Sequence, residues 1–126
     1  MWYVIAADKG AKLISGFAEE ITPKEYKDRV HNGTFAEVLQ TCAIEPGDVF
    51  YVPAGRVHGI GAGAFVAEIQ QTSDITYRIF DYNRKDKDGT SRELHTSQAM
   101  DAINFSDVQD DFRTEYERVQ NEPLRW

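Results

Sequence analysis

Residues 2–7 (WYVIAA) and 12–17 (KLISGF) are short apolar runs rich in β-formers, joined by the turn signal Asp8-Lys9-Gly10. They predict a pair of strands. The pattern then turns helical. Thr22-Pro23-Lys24-Glu25 places a capping hydroxyl, a proline at the first helical position and a glutamate three residues on. That is a capping box, and the helix it starts should stop at His31-Asn32-Gly33. Thr34-Phe35-Ala36-Glu37 repeats the start signal, with Phe35, Val38 and Leu39 on one face. Two short helices side by side are expected, as an insert over about 22–41.

From Ile44 the alternation becomes β-like again. Glu45-Pro46-Gly47-Asp48 is a turn, and residues 49–52 read as a strand closed by Pro53. Residues 56–63 hold three of the nine glycines, which predicts a tight loop where backbone approaches something closely. Residues 64–69 and 75–82 read as two further strands, and residues 83–92 as a charged loop with an Asp88-Gly89 turn. A short helix starts at Thr96 and ends near Ile103. Beyond it, Phe105, Val108, Phe112, Tyr116 and Val119 recur at three- and four-residue steps, as on a helical stripe. Asp107, Asp110 and Asp111 suit a helix poorly there, and an extended crossing of a neighbour fits equally well. Short strands with frequent turns and few helices predict a mainly β fold, a sandwich or jelly-roll barrel decorated by helices.

Composition narrows the class. The 126 residues, 41% apolar and 12% aromatic, suffice for one domain with a single modest core. The net charge of −7 and the lack of any uninterrupted basic run disfavour a nucleic-acid partner or an anionic membrane. Apolar runs fall far short of the ~20 residues of a membrane span, and no secretory signal opens the sequence. A single cysteine, Cys42, fits a reducing, cytoplasmic compartment and reads as a buried small hydrophobe. Met1 runs at once into a strand-like segment and the last residue is Trp126. Both ends lack the polar taper of an independent domain, so truncation is as good an expectation as completeness.

The stretch from Gly47 to His58 carries the chemistry. A glycine turn leads into an apolar strand, Pro53 stops the ladder, Gly55 allows a sharp bend, and the bend aims His58. Neutral imidazole is the commonest transition-metal ligand, although a lone histidine is more often packed or at the surface. The spacing resembles the second metal motif of the cupin superfamily, G(X)5PxGxxH(X)3N, with Ala62 where the motif has Asn. Further stretches sharpen the likeness: Trp2-Tyr3-Val4, residues 52–58, residues 68–78 with SDITYR at their end, and Arg92-Glu93-Leu94-His95. In this order they resemble the type I mannose-6-phosphate isomerases of the shorter bacterial kind, over nearly the whole chain.

That resemblance implies a cupin-like jelly-roll barrel, incomplete at one edge. It implies a zinc-dependent isomerase interconverting mannose 6-phosphate and fructose 6-phosphate. By it, His58 is a metal ligand, Arg78 the active-site arginine and Asp74 its acidic neighbour. On a strand, Asp74 and Arg78 would share a face. Proton transfer between C1 and C2 passes through an enediolate, which a metal or fixed cation stabilises. Asp74 and Glu68 are the candidate bases, with a base outside the chain equally open. The resemblance also implies a further histidine and glutamate ligand upstream of Met1, so the chain reads as an internal segment. His31 and His95 suit structural or surface roles better than ligation. Such a segment should isomerise weakly or not at all, and its open sheet edge invites a homodimer. A non-catalytic cupin-like sugar-binding or regulatory module is the alternative. A small cupin oxygenase would need a second histidine or glutamate from a first cupin motif.

Overall fold

The structure, a computed structural model, describes residues 1–73, 75–81 and 85–116. Six strands and two α-helices succeed one another: β1 (Trp2–Ala7), β2 (Lys12–Phe17), α1 (Pro23–Asn32), β3 (Leu39–Ala43), β4 (Val49–Phe50), β5 (His58–Ile60), β6 (Ala64–Glu68) and α2 (Thr96–Ala102). A single 3₁₀ turn, Phe35–Val38, lies between α1 and β3. The described strands form two antiparallel three-stranded sheets, in the orders β4-β1-β6 and β3-β2-β5.

The first two strands form where expected, but they do not pair with each other. β1 lies between β4 and β6, and β2 between β3 and β5. The reason is burial. Trp2 and Val4 project from one sheet and Leu13 from the other into the same apolar cluster, closed by Cys42, Phe50 and Phe112. A flat hairpin would put these side chains side by side, whereas two facing sheets bury them against one another. The Asp8–Ala11 turn therefore carries the chain from one sheet to the other, its Asp8 N–H bonded to Gly63 O and Ala11 N–H to Asp8 O.

A second cluster lies beneath α1: Phe17, Ile21, Tyr26, Phe35, Val38, Leu39 and Val57. Tyr26 meets Phe35 edge-on at 5.2 Å between centroids, within the favoured range for aromatic pairs. The capping box forms as expected. Glu25 N–H donates to Thr22 Oγ1, Thr22 N–H donates to the Glu25 carboxylate, and Gly33 closes the helix at φ 73°.

Elsewhere the elements differ from the sequence pattern. The second helix shrinks to one 3₁₀ turn because Thr34 makes no side-chain cap and Phe35 and Val38, three apart, are the residues buried. Leu39 onward is already strand, paired with β2. The strand expected at 49–52 ends at Phe50, and the loop expected at 56–63 contains β5. Residues 75–81 form no strand, and Tyr82, Asn83 and Arg84 lie outside the described residues. The tail takes the extended alternative. Val108 bridges Phe17, Phe112 is buried in the inter-sheet core, and Thr114 N–H donates to Val49 O. Val119 lies outside the described residues.

Candidate functional site

Pro53 and Gly55 bend the chain out of β4 and into β5. Gly55 sits at φ 86°, and a Cβ there would lie 2.9 Å from Ala102 O at the end of α2. Only glycine lets this bend lie flush on the helix terminus. Three residues on, His58 opens β5 opposite Ser15, with Ile60 opposite Leu13. Directly opposed residues of an antiparallel pair share a face, and Leu13 is core. His58 therefore faces the other sheet, and its ring meets the Trp2 ring edge-on at 5.4 Å. It is nonetheless exposed, on β5, an edge strand of its sheet.

The His58 tautomer follows from its neighbour. Nδ1 lies 2.7 Å from Arg56 O, and a carbonyl oxygen only accepts, so Nδ1 carries the hydrogen. In the neutral ring this leaves the Nε2 lone pair available to a ligand. Orientation of a ligating histidine by a backbone carbonyl is the usual supporting arrangement at metal sites. Arg56 is itself fixed. Its guanidinium donates twice to Asp107, at 2.6 and 3.1 Å, gives a further N–H to Tyr51 O, and lies 4.4 Å over the Phe112 ring.

A cavity of about 580 Å³, in the range of small-ligand sites, opens beside this bend. His58, Arg56, Ser73, Tyr77 and Arg78 bring polar groups to it, and Ala102 and Ile103 close one wall. The structure thus puts His58 and Arg78 on one cavity. Asp74 lies outside the described residues, although Ser73 and Ile75 on either side line the same space. Glu68 is placed differently. Its carboxylate accepts the N–H of the same Trp2 indole whose ring meets His58, at 2.9 Å, and it does not line this cavity. His31 is exposed on the last turn of α1. His95 is half-buried before α2, where it bonds the backbone of Arg78. Cys42 is buried, and burial pushes its thiol up from the ordinary value.

Sequence reasoning missed the Arg56–Asp107 clamp and the contact of His95 with Arg78. The clamp partners are 51 positions apart, so no local periodicity links them. The Arg92-Glu93-Leu94-His95 stretch did stand out, but as part of a likeness and not for what His95 touches.

No protein-family model matches the chain. It is 38% identical over 120 residues to the mannose-6-phosphate isomerase ManA of Bacillus subtilis, covering 95% of this chain and 38% of that protein. It is 42% identical over 102 residues to the mannose-6-phosphate isomerase of Streptococcus mutans, covering 81% of this chain and 32% of that one. The crystal structure of the Bacillus subtilis mannose 6-phosphate isomerase superposes with a TM-score of 0.74 at 39% identity, covering 82% of this chain and 32% of that one. The chain spans about a third of the length of the relatives it matches. It is homologous to the mannose-6-phosphate isomerases over that third.

Proposed function

We propose that this chain carries part of the active site of a zinc-dependent aldose–ketose isomerase acting on mannose 6-phosphate and fructose 6-phosphate, on a cupin-like jelly-roll barrel. The observation that carries the reading is the placement of His58 and Arg78 on one cavity of sugar-phosphate size, in a chain homologous to such isomerases. A cytoplasmic setting accords with a sugar-phosphate substrate. No helix among the described residues is long and apolar enough to cross a membrane.

Moving a proton between C1 and C2 builds negative charge on an enediolate, so the site needs positive charge fixed in advance. Arg78 supplies it, to the developing oxyanion or to the phosphate, with the paired N–H geometry that suits either anion. Glu68 and Asp74 are the carboxylates proposed for the proton transfer. The Trp2 indole orients Glu68. His58 holds its Nε2 lone pair ready through the Arg56 carbonyl.

Zinc takes three protein donors at a catalytic site. Among the described residues no group of three His, Cys, Asp or Glu is placed to hold a metal ion, and His58 is the one oriented imidazole on the cavity. These residues do not fit a zinc ion by themselves. That same observation favours, as the second reading, a cupin-like sugar-binding or regulatory module without catalysis. A homodimer formed through an open sheet edge is the proposed association.

Titrating mannose 6-phosphate into the labelled chain tests the proposal, alongside a coupled turnover assay with zinc supplied. The expected result is perturbation of the Gly55 and Arg78 amides, lost in Arg78→Ala, with weak or no turnover. Absence of any perturbation in the folded chain would defeat the sugar-phosphate reading. Turnover separates the two readings: weak isomerisation supports the isomerase site, and none, with sugar phosphate still bound, supports the module.

A further inference from the structure

Arg78 lies in a segment that pairs with no strand among the described residues, yet its backbone is held at both polar groups by one residue. Arg78 N–H donates to His95 Nδ1 at 3.0 Å, and His95 N–H donates to Arg78 O at 2.7 Å. At Arg78 the sheet ladder expected over 75–82 is thus replaced by two bonds with His95, one to its ring and one from its backbone N–H. His95 is in turn anchored. It precedes α2, whose Ala99 N–H donates to His95 O, and the Tyr26 hydroxyl of α1 donates to Thr96 O. The Arg78 guanidinium, for its part, donates to Glu93 O at 3.4 Å.

We propose that His95 is a positioning residue for Arg78, holding the arginine on the cavity through its neutral ring. The importance of the arginine rests on the isomerase reading above. An amide N–H only donates, so Nδ1 must keep its lone pair and the neutral ring must carry its hydrogen on Nε2. Protonation makes both ring nitrogens donors. Nδ1–H would then oppose the Arg78 N–H, and of the two bonds only that from His95 N–H to Arg78 O would remain. Among the described residues, the charged and titratable groups placed near His95 are Arg78, whose backbone it holds, Tyr77 with its ring 6.2 Å away, Glu93 two residues back in the chain, and Tyr26 of α1, whose hydroxyl bonds the next residue's carbonyl. Of these Arg78 is the cation, with its guanidinium directed to Glu93 O.

The test uses the labelled 126-residue chain. Ring nitrogen spectra near neutral pH should show His95 with Nδ1 unprotonated. His95→Ala should raise Arg78 amide exchange about tenfold, the upper end of one net hydrogen bond. His95→Asn, which returns an acceptor near the Nδ1 position, should hold exchange within about threefold of the parent. The Gly16 amide, bonded to Val57 O, should not change in either. If His95→Ala does not fold, an acid titration of the parent decides. Arg78 exchange, corrected for its intrinsic pH dependence, should accelerate in acid while Gly16 exchange does not. A hydrogen on Nδ1, unchanged Arg78 exchange in His95→Ala, exchange in His95→Asn as fast as in His95→Ala, or a flat acid titration each overturns the proposal. None of these readouts uses substrate. Failure of mannose 6-phosphate to bind would therefore sink the isomerase reading and leave the His95–Arg78 linkage standing.

Discussion

Arg56 determines more of the cavity's geometry than its place inside the bend suggests. One face of its guanidinium rests on Phe112, its N–H groups grip Asp107, and its carbonyl fixes the His58 tautomer. The side chains of the pair are only 9% and 11% exposed, so removing one partner strands a buried charge. Asp107→Ala should therefore cost about 3 kcal/mol, the lower end for breaking a buried pair, in urea unfolding. It should also mix the tautomers of His58 in ring nitrogen spectra. An unchanged unfolding midpoint would mean that the Arg56 charge is met by water. Tyr26 gives a second, pH-dependent expectation. The residue is fully buried, and burial pushes its phenol up to about 12 from the ordinary 10.0. The folded state thus holds the proton more tightly than the unfolded chain. That stabilisation is complete below pH 10.0 and is lost as pH rises towards about 12. The loss amounts to about 2–3 kcal/mol across that window. Tyr26→Phe should lose about 1 kcal/mol near neutral pH, for the hydroxyl bond to Thr96 O, yet unfold less steeply above pH 10.0. Equal alkaline slopes in the two proteins would refute the assignment. None of this was legible from spacing. His58 could be picked out because its motif is local, whereas Asp107 and Thr96 reach their partners across the fold.

At the scale of elements, what could be read in the sequence follows from how local the cause is. The α1 helix was legible because its start and stop chemistry lies within a dozen residues, in Thr22, Pro23, Glu25 and Gly33. β1 and β2 were legible as strands but not as members of different sheets. Their alternation reports a buried face and says nothing of what covers it. β3 was obscured because Phe35, Val38 and Leu39 also fit a helical stripe, and only pairing of Leu39 with Phe17 settles the matter. The strand expected at 75–82 carries alternating Ile75, Tyr77 and Ile79, but no described strand edge is paired with it. Of the three, Ile75 stays 67% exposed and Tyr77 44%. The bend between β4 and β5 yields the prediction proper to this scale. Gly55 combines a left-handed φ with a 2.9 Å approach of its missing Cβ to Ala102 O. Gly55→Ala should cost about 2 kcal/mol from strain and overpacking together. It should also push the end of α2 off the bend, with exchange rising at the Asn104 amide, which bonds Gly55 O. A loss below about 0.5 kcal/mol, the range of ordinary surface changes, would mean that the bend does not lean on the helix.

For the molecule as a whole, the question is what two small sheets leave uncovered. The outer face of the β4-β1-β6 sheet shows Tyr3 at 41%, Ile5 at 46% and Phe65 at 61% exposure. Tyr3 and Ile5 alternate with the buried Trp2 and Val4, so this apolar row follows from one strand presenting both its faces as hydrophobic. β6 is also an edge, paired with β1 alone among the described strands, and its outer backbone groups are available to a further strand. An apolar face beside an open edge is the combination that draws a second chain, and antiparallel addition at β6 would cover both at once. Sedimentation of the purified chain should therefore show a concentration-dependent dimer. Phe65→Lys puts a charge on that edge without touching the inter-sheet core. It should shift the chain to monomer while moving the unfolding free energy by no more than about 0.5 kcal/mol of monomer stability. Ser15→Ala is the matched control, since this buried hydroxyl lies on the inner face and lacks a hydrogen-bond partner among the described residues. It should leave the association unchanged. A monomer at every concentration would show that β6 is not an association edge. A dimer that survives Phe65→Lys would place the contact on a face or edge other than β6.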